Sequence, residues 1–114
     1  MLIPEPYRRL EKEKGRALTE IGVAGVAFTR EGILEALGCL KGSQVAVLGG
    51  DVLEVVNGKP QYTTDSWYAN REPEEDLNAY LERTITEAEQ YVRRFPDPDD
   101  GTILYSLTVS ELGL

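Results

Sequence analysis

The spacing of apolar and polar positions divides the chain into a short series of elements. The first opens at Pro6, where proline suits a helix start, and carries Tyr7, Leu10, Ala17, Leu18 and Ile21 within a mixture of acids and bases. It predicts a helix weakened at Gly15. Gly22 to Ala27 is small and apolar, which predicts an extended connection packed beneath another element. At Thr29 the pattern sharpens, because its hydroxyl can accept from an orphan backbone N–H and Phe28 and Ile33 occupy the two positions of a hydrophobic staple. Ile33, Leu34, Leu37 and Leu40 then form one helical stripe, Lys41 complements the last carbonyls, and Gly42 suits the left-handed residue that ends a helix.

Gln44 to Leu48 is β-prone, Gly49-Gly50 interrupts it, and Asp51 to Val56 resumes before the turn signal Asn57-Gly58 and the strand-like Gln61 to Thr64. This predicts a hairpin with a bend. A two-residue turn sets Tyr62 opposite Leu53, whereas a four-residue loop, which Pro60 favours, sets it opposite Val55. Both place Tyr62 on the Leu53/Val55 face. A regular strand then sends Asp65 and Trp67 to the other face, beside Val52, Glu54 and Val56. That parity does not carry backward through Gly49-Gly50, where a bulge would reset it.

Pro73 opens the strongest helix signal, with Glu74, Glu75 and Asp76 in its first turn, Leu77, Leu81, Ile85, Ala88, Val92 and Phe95 as its stripe, and Arg93 and Arg94 at its end. Pro96 to Gly101 breaks it. Ile103, Tyr105, Leu107 and Val109 alternate with Leu104, Ser106 and Thr108 as a half-buried strand. The order α-α-β-β-α-β predicts an α+β fold, a small mainly antiparallel sheet packed against helices, with residues 1–114 as a single domain.

Composition narrows the chemistry. The chain has 114 residues, no histidine and one cysteine, Cys39, which excludes a Cys/His zinc site, a Ser-His-Asp triad and an intramolecular disulfide. Acid-base chemistry would fall to carboxylates, tyrosines or lysines, and no spacing singles out a pair. No apolar stretch approaches the ~20 residues that span a bilayer, and the first residues lack a basic-then-apolar export pattern, so a cytoplasmic, membrane-free protein is expected. The net charge is −8, unevenly spread. Residues 1–42 carry seven bases and six acids, while residues 71–114 carry four bases and eleven acids. Such a surface repels a nucleic-acid backbone and attracts a basic protein; solubility alone also accounts for it.

Three segments are candidate sites. Asp97, Asp99, Asp100 and Gly101 resemble half of a calcium loop, but two prolines and the lack of a downstream bidentate glutamate break the pattern, so a solvated turn and no metal are expected. Gly49-Gly50-Asp51 has the glycines of an anion nest without a lysine or helix after it, and its carboxylate opposes phosphate; a bend or bulge is the simpler reading. Tyr62 to Tyr68, continuing to Arg71, has the composition of an interaction hot spot. Trp67 is open to two readings here, anchor or core.

The succession Val26-Ala27-Phe28-Thr29 into a helix, then Val47-Leu48-Gly49-Gly50-Asp51-Val52, Asn57-Gly58-Lys59, Tyr62 and Asp65-Ser66-Trp67-Tyr68 resembles the immunity protein 40 family of bacterial polymorphic toxin systems. The resemblance runs from about residue 7 to residue 95 and leaves the last strand outside. It implies a small α+β antidote in the cytoplasm that binds and neutralises a cognate toxin domain, without cofactor or catalysis. With the acidic C-terminal half, this points to a basic target surface such as that of a nuclease.

The expected partner-binding residues are Tyr62, Asp65, Trp67, Tyr68 and Arg71 as anchors, with Asp51 beside them, and Glu72, Glu74, Glu75 and Asp76 as steering charges. A rival reading is a carboxylate-dependent enzyme or ligand-binding module around Asp51, Asp65 and Tyr62, which requires a concave pocket where they converge. Pairing with a second copy of the chain, as a homodimer or scaffold piece, stays open.

Overall fold

A computed structural model describes residues 3–111 and shows an α+β fold. Helix α1 spans Glu5–Lys14 and ends at an extended Gly15. Ala17, Leu18 and Ile21 therefore leave the helix to which their spacing assigned them. No apolar residue lies between Leu10 and Ala17, and Lys12 and Lys14 followed by glycine form a stop signal. The chain instead pairs β1 (Arg16–Ala17) with β2 (Val26–Ala27), with a short 3-10 turn at Thr19–Ile21 between them. This ladder is absent from the sequence-derived order.

Helix α2, Arg30–Leu40, begins as its capping residues dictate. The Thr29 hydroxyl accepts from the Gly32 N–H at 3.3 Å, and Phe28 and Ile33 are both buried. Strand β3 runs unbroken from Val45 to Val56, so Gly49-Gly50 does not interrupt it. Gly50 pairs on both sides, with Trp67 and with Leu107. The irregularity falls one residue earlier, where Leu48 has no counterpart between the pairs Val47–Val109 and Gly49–Thr108. Next to it, the buried hydroxyl of Thr84 accepts the Val47 N–H at 3.0 Å and donates to the Leu81 carbonyl at 2.9 Å.

Strand β4, Lys59–Tyr68, follows a two-residue turn in which Asn57 (φ 53°) and Gly58 (φ 78°) are both left-handed. Helix α3 spans Leu77–Arg94 and starts four residues later than Pro73 suggested, because Asp76 is its cap, accepting from the Ala79 N–H at 3.1 Å. Strand β5, Ile103–Glu111, completes an antiparallel sheet ordered β4-β3-β5.

The helices cover one face of this sheet. There Val47, Val52, Trp67 and Tyr105 pack with Ile33, Leu37, Ile85, Ala88 and Val92. On the opposite face the β1/β2 ladder covers only one part, through Leu18 and Ala27 against Leu53 and Leu104. One arginine ties the helical layer together. Arg30 donates to the carbonyls of Arg93 (3.0 Å), Phe95 (3.2 Å) and Asp97 (2.9 Å), and its Nε lies 3.0 Å from an Asp99 carboxylate oxygen as an ion pair without hydrogen-bond alignment. The acidic loop is thus more than a solvated turn. The Asp97 side chain is only 2 % exposed and accepts from the Tyr105 hydroxyl at 2.8 Å, which with burial raises the tyrosine pKa.

Candidate functional site

The Asn57-Gly58 turn fixes the first half of the register and sets Tyr62 opposite Leu53. Beyond it β4 bulges. Thr63, Thr64 and Asp65 together stand opposite Val52, two residues more than a regular ladder would hold. The Thr63 hydroxyl organises the bulge by donating to the Val52 carbonyl at 2.8 Å and accepting the Asp65 N–H at 3.1 Å. Pairing resumes at Asp51–Ser66, which puts Trp67 over Gly50 and Tyr68 beside Gly49. The two extra residues preserve the alternation, so Trp67 keeps the face opposite Tyr62 that a regular strand predicts, and the bulge changes only how far along β3 it sits, at Gly50.

Trp67 goes to the core and is 8 % exposed. Its ring stacks on Tyr91 at 4.6 Å between centroids, and the aromatic contacts continue through Phe95 to Tyr105. A Cβ at Gly50 would run into this indole and into the Ser106 carbonyl, so the glycine pair is a place of close approach rather than a bend. The indole Nε1 is buried without a hydrogen-bond partner among the described residues.

The opposite face is open at the matching level. Asp51 sits there on the central strand, half-buried, paired with Ser66 on one side and Ser106 on the other. Tyr62 (47 % exposed) and Tyr68 (77 % exposed) stand along β4 on the same face. Burial and then the Asp51 charge push the Tyr62 phenol up, which places the two groups within electrostatic reach. Between Asp51, Tyr68 and Thr108 the two glycines leave a depression of about 120 Å³.

The remaining expected residues separate into two groups. Asp65 is exposed and lines a different hollow, a groove of about 530 Å³ on the helix side with Trp67, Tyr91, Arg94 and Phe95, whose edge Tyr68 also reaches. Asp51, Asp65 and Tyr62 therefore do not converge, and the arrangement that the enzyme reading required is not formed. The segment after Tyr68 is occupied with itself. Arg71 donates to the Glu75 carbonyl at 2.9 Å, and Asp76 caps α3. The Glu75 carboxylate takes a bidentate pair from Arg83 at 2.7 and 2.8 Å, and these hydrogen bonds lower its pKa to about 2. Arg83 also reaches Glu87 and the Asn70 carbonyl, both at 2.7 Å, and Tyr80 ties the Ala69 carbonyl at 2.7 Å. Of the expected steering charges, Glu72, Glu74 and the capping Asp76 are exposed and Glu75 is half-buried.

The sequence reading did not name Ser66, Ser106 or Thr108 as companions of Asp51, nor Tyr91 as the partner of Trp67. The alternation in the last strand carried the signal for Ser106 and Thr108, but not that this strand lies beside β3. Among the described residues, no group of three or more Cys, Asp and Glu could hold a metal ion, and no helix is long and apolar enough to cross a membrane.

A model of the immunity protein 40 family matches residues 17–109. The match takes in the whole β4-β3 hairpin, α2, α3 and β5 as far as Val109, so the last strand lies inside it while α1 lies outside. No curated protein and no solved structure matches the chain.

Proposed function

From its place in the immunity protein 40 family, to which the chain belongs, we propose that it binds a cognate toxin domain of a bacterial polymorphic system and neutralises it by covering it, in the cytoplasm and without catalysis. The family name implies an immunity role and a toxin partner in general. The observation that supports a contact mechanism is the open half of the sheet. Its two exposed tyrosines share a face with Asp51 that the helices do not cover and the β1/β2 ladder covers only in part, at Leu53 and Leu104. Aromatic side chains of this kind offer large contact area with few rotors to immobilise.

Tyr62 and Tyr68 are the anchors of this reading, with Asp51 between them, and Asp65, Glu72 and Glu74 lie outside as steering charges. Arg71, Glu75, Asp76 and Trp67 act indirectly by holding β4 and its exit in shape. The acidic C-terminal half suits a basic target such as a nuclease domain. Co-expression with the toxin gene adjacent to this one tests the proposal. Rescue of growth and recovery of a stoichiometric complex are expected. Failure of rescue with soluble protein present, or rescue without a complex, would reject neutralisation by binding.

A further inference from the structure

We propose that the depression at Gly49-Gly50-Asp51 is a socket for one basic side chain, lysine or arginine, of the bound toxin, with Asp51 as its counter-ion and Tyr68 as its wall. The inference rests on the toxin-binding reading for its biological partner, but its chemistry is tested without the toxin.

Three observations carry it. The first is the state of Asp51. It lies on the central strand with strands on both sides, yet among the described residues its carboxylate has neither a hydrogen-bond nor an ion-pair partner. Elsewhere the fold provides partners where carboxylates are enclosed. Glu75 has Arg83, and Asp97 has Arg30 and Tyr105. A half-buried carboxylate left unpaired on an open face is a site of unspent attraction for a cation.

The second is size. About 120 Å³ is the space of roughly four waters, at about 30 Å³ for each, and is well below the roughly 300–1,000 Å³ of sites that enclose small-molecule ligands. It suits the head group of one side chain. Gly49, on the Asp51 face, leaves this stretch of the central strand bare, whereas a Cβ at Gly50 would point the other way, into the indole.

The third is the lining. Leu48, Asp51, Trp67, Tyr68 and Thr108 surround the glycines, with no lysine or arginine among them, so the only charge is negative. Tyr68 presents most of its ring to solvent and Tyr62 stands within electrostatic reach of the same carboxylate. A cation paired with Asp51 gains the aromatic faces as well. An anion in the same space would meet the carboxylate and no compensating base.

The test uses the full chain and three probes: capped arginine, capped lysine and capped norleucine, each titrated while the backbone and ring resonances are followed by NMR. Saturable shifts at Gly49, Gly50 and Tyr68 are expected for at least one cationic probe, with norleucine about tenfold weaker or inert. The preference should vanish in Asp51→Asn, and Tyr68→Ala should weaken the cation by about threefold. Equal shifts from norleucine, shifts that map elsewhere, or a preference that survives Asp51→Asn would overturn the socket. Cation binding in a chain that captures no toxin would reject the functional reading alone, and toxin capture unaffected by Asp51→Asn would reject the socket alone.

Discussion

The two faces of the β4-β3-β5 sheet treat their aromatic residues in opposite ways. On the helix side Trp67 stacks on Tyr91, and the contacts pass on through Phe95 to Tyr105, so each ring is held by the next. On the other side Tyr62 and Tyr68 are exposed near a carboxylate that has no hydrogen-bond or ion-pair partner among the described residues. Trp67 and Tyr68 are consecutive, yet one is 8 % and the other 77 % exposed. Burial and exposure thus fall on alternate positions of a single edge strand, which on the proposed function divides stability from recognition. A mutation one residue along exchanges the property it damages.

The sharpest way to break this contrast is Trp67→Ala. Removing a core indole is expected to cost about 3–5 kcal/mol in denaturant unfolding. An unchanged stability together with lost toxin binding would move Trp67 into the interface and erase the distinction. Gly50→Ala presses on the same contact from below, because its Cβ meets the indole and the Ser106 carbonyl; a loss of about 1–3 kcal/mol is expected by the same measurement. The open face should respond the other way. Tyr68→Ala is expected to leave stability within about 0.5 kcal/mol and to weaken toxin association by about 2 kcal/mol in calorimetry.

Smaller effects sharpen the boundary of the site. Asp76→Ala should cost about 1 kcal/mol of stability, the value of a helix cap, while toxin association at matched folded protein stays the same. A fall in affinity instead would return Asp76 to the contact surface. The weakest is a pH effect at Glu75. Its carboxyl titrates lower in the folded chain, near 2, than the ordinary value of 4.5, so its contribution is present above about pH 4.5 and is lost as pH falls toward 2. Acid titration should show this loss in the parent and not in Glu75→Gln.

Much of the scaffold was legible because local chemistry and packing agree there. Thr29 caps α2, Leu81, Ile85, Ala88 and Val92 of the α3 stripe are buried, and Asn57-Gly58 makes the two-residue turn that sets Tyr62 opposite Leu53. The misreadings have identifiable causes. Ala17, Leu18 and Ile21 fit a helical spacing, but Ala17 pairs with Val26 nine residues on and Leu18 and Ile21 lie in the connection between the two strands, a non-local pairing that periodicity does not register. Asp76 reads equally as a first-turn acid or as a cap, and its hydrogen bond to Ala79 decides. Within the candidate site, residue types and the alternation that turns Asp65 and Trp67 away from Tyr62 were readable, and the finer placement was not. The level of Trp67 at Gly50 depends on the Thr63 bulge, which has no glycine or proline to announce it, and the occupation of Glu75 depends on an arginine eight residues away.

The bulge also has a consequence for how this gene can vary. Two residues of β4 beyond those needed for pairing are slack held by one hydroxyl at the border of the sheet. Deleting or inserting a codon there can be absorbed before Ser66 without lifting the indole off its glycine. Length differences among relatives are therefore expected to collect at Thr63 to Asp65, and to be rare in the flanking pairs.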